Sequence, residues 1–98
     1  MTINKKQDGS KLSIALEGRL DTTTAPELEN ELKTSLDGIS NLVFDLSALE
    51  YISSAGLRVL LSAQKTMNKQ GEMTVTGANE TIMEIFDVTG FVDILNIE

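Results

Sequence analysis

The hydrophobic pattern of this 98-residue chain predicts an α/β fold, a mixed and mostly parallel sheet of about five strands with helices packed on it, in the order ββαβαβαβ. Three observations carry this expectation. A period-two stretch, Leu12, Ile14 and Leu16, follows the turn signal Asp8-Gly9-Ser10 and so belongs to a hairpin. Each later strand candidate is separated from the one before it by a single amphipathic stretch, which implies parallel, right-handed crossovers. The length suits one domain over residues 1–98, since domains usually run to about 100–150 residues. A chain of this size can bury about 65% of its unfolded surface, enough for a core without disulfides or metal.

The elements follow in order. Thr2 to Gln7 is the antiparallel partner of the strand Lys11 to Glu17, and Gly18 and Asp21 mark the loop after it. Thr24 is placed to cap a helix with Pro26 in its first turn, where a missing N–H costs nothing. Leu28, Leu32 and Leu36 then recur at four-residue spacing up to the turn Asp37-Gly38. Leu42-Val43-Phe44-Asp45-Leu46 reads as a central strand covered on both faces. A second helix runs from Ser53-Ser54 to about Lys69, striped by Leu57, Leu60, Leu61 and Met67, with Gly71 placed as a left-handed terminator. Met73 to Thr76 alternates as a fourth strand. A third helix from about Asn79 carries Ile82, Ile85 and Phe86 to near Gly90, and Ile94 to Ile97 is a short fifth strand.

Composition removes most chemistry. There is no Cys and no His, hence no thiolate nucleophile, no imidazole base and no usual transition-metal ligand set. Eight Lys+Arg against fifteen Asp+Glu give a net charge of −7, and only 4% of residues are aromatic. That is the wrong charge for nucleic acid and too few stacking platforms. No apolar run approaches the roughly 20 residues that cross a bilayer, and no apolar segment follows Lys5-Lys6 as in a leader, so a cytoplasmic protein without membrane insertion is expected. Phosphate-binding glycine motifs and a Gly-x-Ser-x-Gly elbow are missing. Ser62-Ala63-Gln64-Lys65 lies mid-helix and reads as a solvated face. No cofactor, metal site or catalytic residue is expected, and the chain reads as a non-enzyme.

One segment stands out, Tyr51-Ile52-Ser53-Ser54-Ala55-Gly56-Leu57-Arg58. Two serines stand where a strand-end loop becomes a helix, and one of them can be its N-cap. Gly56 in the first turn costs about 1 kcal/mol against Ala and so permits a close approach, by a neighbouring element or by a partner. A serine at a helix N-terminus is also well placed to carry phosphate, because free N–H groups and the helix dipole favour its charge. Modification there leaves the fold standing and acts on a partner that must bury the same spot.

With these residues the chain resembles the STAS domain family, specifically the bacterial anti-sigma factor antagonists. Gly18-Arg19-Leu20-Asp21, Val43-Phe44-Asp45-Leu46-Ser47 and Tyr51-Ile52-Ser53-Ser54-Ala55-Gly56-Leu57 match three of its motifs in order, with Gly71-Glu72 and Phe86-Asp87-Val88-Thr89-Gly90 in further agreement. The resemblance implies binding to an anti-sigma factor with serine kinase activity, which frees a sigma factor for transcription. Phosphorylation of a serine at the start of the second helix would end the binding, and a PP2C-type phosphatase would restore it. Carried over by position, the acceptor is Ser54, and Asp21 falls at the loop acid beside it. Ser53 stands where the family usually has Asp, which removes a carboxylate and supplies a competing hydroxyl. Asp21, Ser53, Gly56, Leu57 and Arg58 are the expected partner surface. Arg58, one turn from Ser54, is either a phosphate partner or a solvated charge. The family's C-terminal fourth helix has no counterpart in the sequence. The alternative keeps the fold without the switch, as a constitutive interaction subunit of a transporter or sensory complex.

Overall fold

The computed structural model describes every residue from Met1 to Glu98. Strands β1 (Thr2–Asp8) and β2 (Lys11–Leu20) form the expected hairpin, in register from Asp8 opposite Lys11 to Thr2 opposite Glu17, across a turn that Gly9 makes at φ +61°. Helix α1 (Ala25–Ser35), strand β3 (Asn41–Ile52), helix α2 (Ser54–Asn68), strand β4 (Glu72–Thr76) and helix α3 (Glu80–Thr89) follow, then a 3-10 turn over Phe91–Asp93. The sheet order is β1-β2-β3-β4, antiparallel at the hairpin and parallel thereafter.

Alternation decides which face is sealed. Leu12, Ile14 and Leu16 of β2, Leu42, Phe44 and Leu46 of β3, and Met73 and Val75 of β4 are all buried. They join Leu28 and Leu32 of α1, Leu57, Leu60 and Met67 of α2, and Ile82 and Phe86 of α3 in one cluster of 24 residues. The residues between them, such as Ser13, Ala15 and Thr74, are only half-buried. Val43 and Asp45 are likewise half-buried, so β3 is sealed on one face rather than on both.

Several element ends depart from the sequence reading. Strands β2 and β3 run on to Leu20 and Ile52, so Gly18, expected in the loop, lies inside β2. Thr24 does not cap α1 with its side chain; Asp21 does so one turn earlier, since the Ala25 N–H already donates to the Asp21 carbonyl at 2.8 Å. Gly71 does not terminate α2 in a left-handed conformation, because α2 closes through Lys69 in the right-handed region and Gly71 has no positive φ. Its lack of a side chain serves a crossing instead, with the Ser40 carbonyl oxygen where a Cβ would stand. The fifth strand expected at Ile94–Ile97 is reduced to one parallel bridge, Ile97 to Val75. The Ile94 and Leu95 N–H groups fold back onto the Phe91 carbonyl (3.0 and 2.8 Å), which leaves only Asn96 to Glu98 to meet β4. Two bonds do so: Val75 N–H donates to Asn96 O (2.8 Å) and Glu98 N–H to Val75 O (2.9 Å).

The start of α3 and its end agree with the sequence. The Asn79 side chain accepts from Ile82 N–H at 2.8 Å, and Gly90 closes the helix at φ +80°. Asn79 also donates from Nδ2 to Leu49 O at 3.1 Å, tying the entry of α3 to β3.

Candidate functional site

Two loops meet at the carboxyl ends of the parallel strands β2 and β3. The last paired rung is Leu20 opposite Ile52, and the next residue, Ser53, donates its N–H to Leu20 O at 2.9 Å. Asp21 and the Ser53-Ser54 turn therefore leave the sheet side by side. Two register shifts bring them level, since β3 spends 12 residues where β2 spends 10. The second shift lies between Gly18 and Arg19, where Gly18 takes φ +98°, a conformation that favours glycine.

Asp21 is a structural cap as well as a candidate contact. Its Oδ1 accepts from the N–H groups of Thr23 (3.0 Å) and Thr24 (3.1 Å), while the Thr24 hydroxyl accepts from the Asp21 N–H (2.9 Å) and donates to Arg19 O (2.9 Å). This reciprocal pair is a capping box closed by threonine instead of glutamate. The Thr24 N–H holds the Asp21 carboxyl below its ordinary value of 3.8, aided by Thr23, the Thr24 hydroxyl and Arg19, against partial desolvation. Asp45, on the half-buried face of the sheet, is lowered in the same way by the Ser47 hydroxyl (2.7 Å) and the Ser47 N–H (3.0 Å).

The sign of the pH effect follows. A carboxyl with a depressed folded-state pKa stabilises the fold above its unfolded value, and that contribution is lost as pH falls through the folded value. Asp21→Asn and Asp45→Asn are each expected to flatten the fall of the urea midpoint below about pH 4. An unchanged slope in both variants would show that these carboxyls do not drive acid unfolding.

The serines are placed differently. Ser54 is the first residue of α2 and is exposed. Ser53 is the N-cap residue, with its N–H and carbonyl engaged, but its Oγ is buried and has no hydrogen-bond partner. Gly56 is buried, and a Cβ there would stand 2.7 Å from Leu20 Cγ and 2.8 Å from Ile52 Cγ1. The close approach expected of Gly56 is therefore made by the last rung of the β2–β3 ladder. Leu57 is 6% exposed and belongs to the core, while Arg58 is exposed. Gly56→Ala is expected to lower stability by about 1 kcal/mol, because overpacking at about 1–3 kcal/mol exceeds a helix-propensity gain of about 1. Urea unfolding checks this, and a stabilised variant would remove the packing role.

The structure adds two features that the sequence reading did not single out. Arg19 lies over the Tyr51 ring, 4.6 Å from its centroid, and its Nε is 4.0 Å from Asp21 Oδ2. The two residues are opposite each other in register, but only the shifted ladder makes them so. A groove of about 270 Å³ is lined by Thr22, Pro26 and Glu29 on the α1 side and by Ala55, Arg58 and Ser62 on α2. Glu29, Val59 and Ser62 also line a separate cleft of about 620 Å³ between the two helices. The repeated small residues of α2 at Ala55, Val59, Ser62 and Thr66 are its sequence trace. No group of three or more His, Cys, Asp or Glu side chains converges to hold a metal ion, and no helix is long and apolar enough to cross a membrane.

The sequence model of the STAS domain matches residues 2–98. A candidate anti-sigma factor antagonist of Bordetella bronchiseptica, BtrV, is 37% identical over 94 residues, 94% of this chain and 80% of that protein. The anti-sigma-B factor antagonist of Listeria monocytogenes is 31% identical over 97 residues, 96% of this chain and 84% of that one. Among solved structures, the Bacillus anti-sigma factor antagonist SpoIIAA superposes in its unphosphorylated form with a TM-score of 0.78 (13% identity, 99% of this chain and 87% of that one). Its phosphorylated form gives 0.77 (14% identity, 99% and 91%).

Proposed function

Because the chain belongs to the STAS domain family, we propose that it is an anti-sigma factor antagonist switched by phosphorylation of Ser54. In this reading the unmodified chain binds a serine-kinase anti-sigma factor through the surface where β2 and β3 end, and the sigma factor is released. Asp21 and Arg58 supply charged contacts there, while Ser53, Gly56 and Leu57 shape the backbone that the partner meets. The kinase then transfers the γ-phosphoryl group of ATP. The Ser54 Oγ–P bond forms as the bond between the β- and γ-phosphates breaks, ADP leaves, and the hydroxyl proton passes to a base of the kinase. A PP2C-type phosphatase returns Ser54 to its hydroxyl form by hydrolysis. The chain performs no catalysis in this cycle.

The observation that carries the reading is the contrast between two neighbouring hydroxyls. Ser54 offers an exposed Oγ on the first residue of a helix, and the Ser53 Oγ is shut from solvent. An attacking hydroxyl must reach the γ-phosphate of a nucleotide held by another protein, and only Ser54 can do so without the turn opening. Two things support a switch that needs no refolding. Relatives at 31–37% identity are named anti-sigma factor antagonists, and SpoIIAA has a fold like this one both with and without its phosphate.

The test is tandem mass spectrometry of the pure chain after incubation with ATP and lysate of its own host, with Ser54→Ala alongside. One phosphoryl group on Ser54, missing from the variant, is the expected result. Phosphate on Ser53 would move the acceptor by one residue. No phosphate in an active lysate would favour an interaction subunit without a switch.

A further inference from the structure

Arg58 stands four residues after Ser54 on α2, the spacing that brings two side chains to within about 6 Å at Cβ on one helix face. It is exposed, and its guanidinium has no carboxylate within 4.0 Å; the ion pairs of the chain are Lys5–Glu31 and Arg19–Asp21. The first turn of α2 carries no acid that would draw it off. Arg19, the other cation at this end of the sheet, is engaged with Tyr51 and Asp21. Glu29 of α1 shares the small groove with Arg58, without reaching ion-pair distance.

From this we infer that Arg58 is the residue that holds the phosphate once Ser54 carries it. The inference rests on the proposed role of Ser54 and adds a second component to the switch. A planar guanidinium gives two parallel N–H donors to two phosphate oxygens, a match that an ammonium group lacks. Arg58 also lines the small groove between α1 and α2. A partner docked there would meet a new dianion and lose a cation in one event. Asp21, fixed by Thr23 and Thr24, opposes the phosphate from the β2 side, and this makes a compensating cation at Arg58 more valuable.

The test installs phosphoserine at position 54 during synthesis, so that no kinase is needed, and titrates the phosphate by phosphorus NMR at low salt. Arg58→Gln is expected to raise the second pKa of the phosphate by about half a unit, a threefold change in proton affinity. Arg58→Lys is expected to fall between the two, retaining the charge without the fork. Lys65→Gln, which removes the same charge from the same helix further along, is expected to match the parent chain. Equal values for the parent and Arg58→Gln would overturn the inference, and so would an equal shift in Lys65→Gln. Failure of the lysate experiment would sink the phosphorylation reading without changing this titration, so the two fail separately.

Discussion

On the proposed function, a Ser54→Glu chain is expected to bind an anti-sigma factor at least about 100-fold more weakly than the parent, while Ser54→Ala stays within a few-fold of it. The Ser54 side chain is exposed on the first residue of α2, so a carboxylate there takes no part in the core and must be desolvated by whatever covers this surface. A charge buried without a partner at an interface costs several kcal/mol, and each 1.4 kcal/mol is a factor of about ten in affinity. The fold should respond in the opposite sense. An acid in the first turn of a helix interacts favourably with the free N–H groups, by about 0.3–1 kcal/mol, so the unfolding midpoint of Ser54→Glu should be unchanged or slightly raised. Titration calorimetry with the purified anti-sigma factor, paired with urea unfolding, separates the two effects. Undiminished binding by Ser54→Glu would place the contact surface elsewhere on the molecule.

Gly71→Ala is expected to cost about 3 kcal/mol of stability, because among the glycines of this chain an added Cβ meets its closest obstacle there. The new Cβ would coincide with the Ser40 carbonyl group, a backbone obstacle that no rotamer change relieves. Ser40 is held on both sides, by its N–H donating to Ser10 O at 2.9 Å and by its carbonyl accepting from Glu72 N–H at 2.9 Å. Gln70 fastens the same crossing from its Nε2 to Leu36 O (2.7 Å) and Ile39 O (2.6 Å). Relief therefore means breaking the approach of α2 into β4 or that of α1 into β3. Urea unfolding with an unchanged m-value checks it, and a loss under about 0.5 kcal/mol would show that the crossing yields.

Gly71 also marks where reading the sequence reaches its limit. Its position two residues after a helix is the same whether it turns left-handed or makes room for another chain segment, and only the Ser40 contact tells them apart. Local periodicity was sufficient for α2, α3 and the first part of β2, because their buried residues recur at the spacing of one strand or one helix face, but it stopped β2 at Glu17, three residues short of Leu20. It failed for the fifth strand, where Ile94 and Leu95 have strand-like character but Phe91 draws their N–H groups into a tight turn. It also ended β3 too early. Ser47 to Ile52 looks like a loop, yet two register shifts keep it paired with β2 as far as Leu20. The site shows the same division. The sequence placed Ser54 at the start of α2 and Asp21 in the loop before α1, and both stand there. The stacking of Arg19 on Tyr51 depends on the shifted ladder, and the groove depends on how α1 and α2 lean on the sheet.

The strand order β1-β2-β3-β4 repeats the order of the chain, with consequences for how the molecule comes into being. No strand has to be inserted between two that have already zipped together. The hairpin needs only a local closure, on the order of 1–10 μs, and offers one template edge. Each later strand follows a single helical crossover and pairs with the edge the previous strand left open, so the strand order permits assembly in one direction from the amino terminus. A chain leaving the ribosome can thus bury β2 beneath α1 and β3 before α3 has been made, with the unpaired edge moving outward one strand at a time.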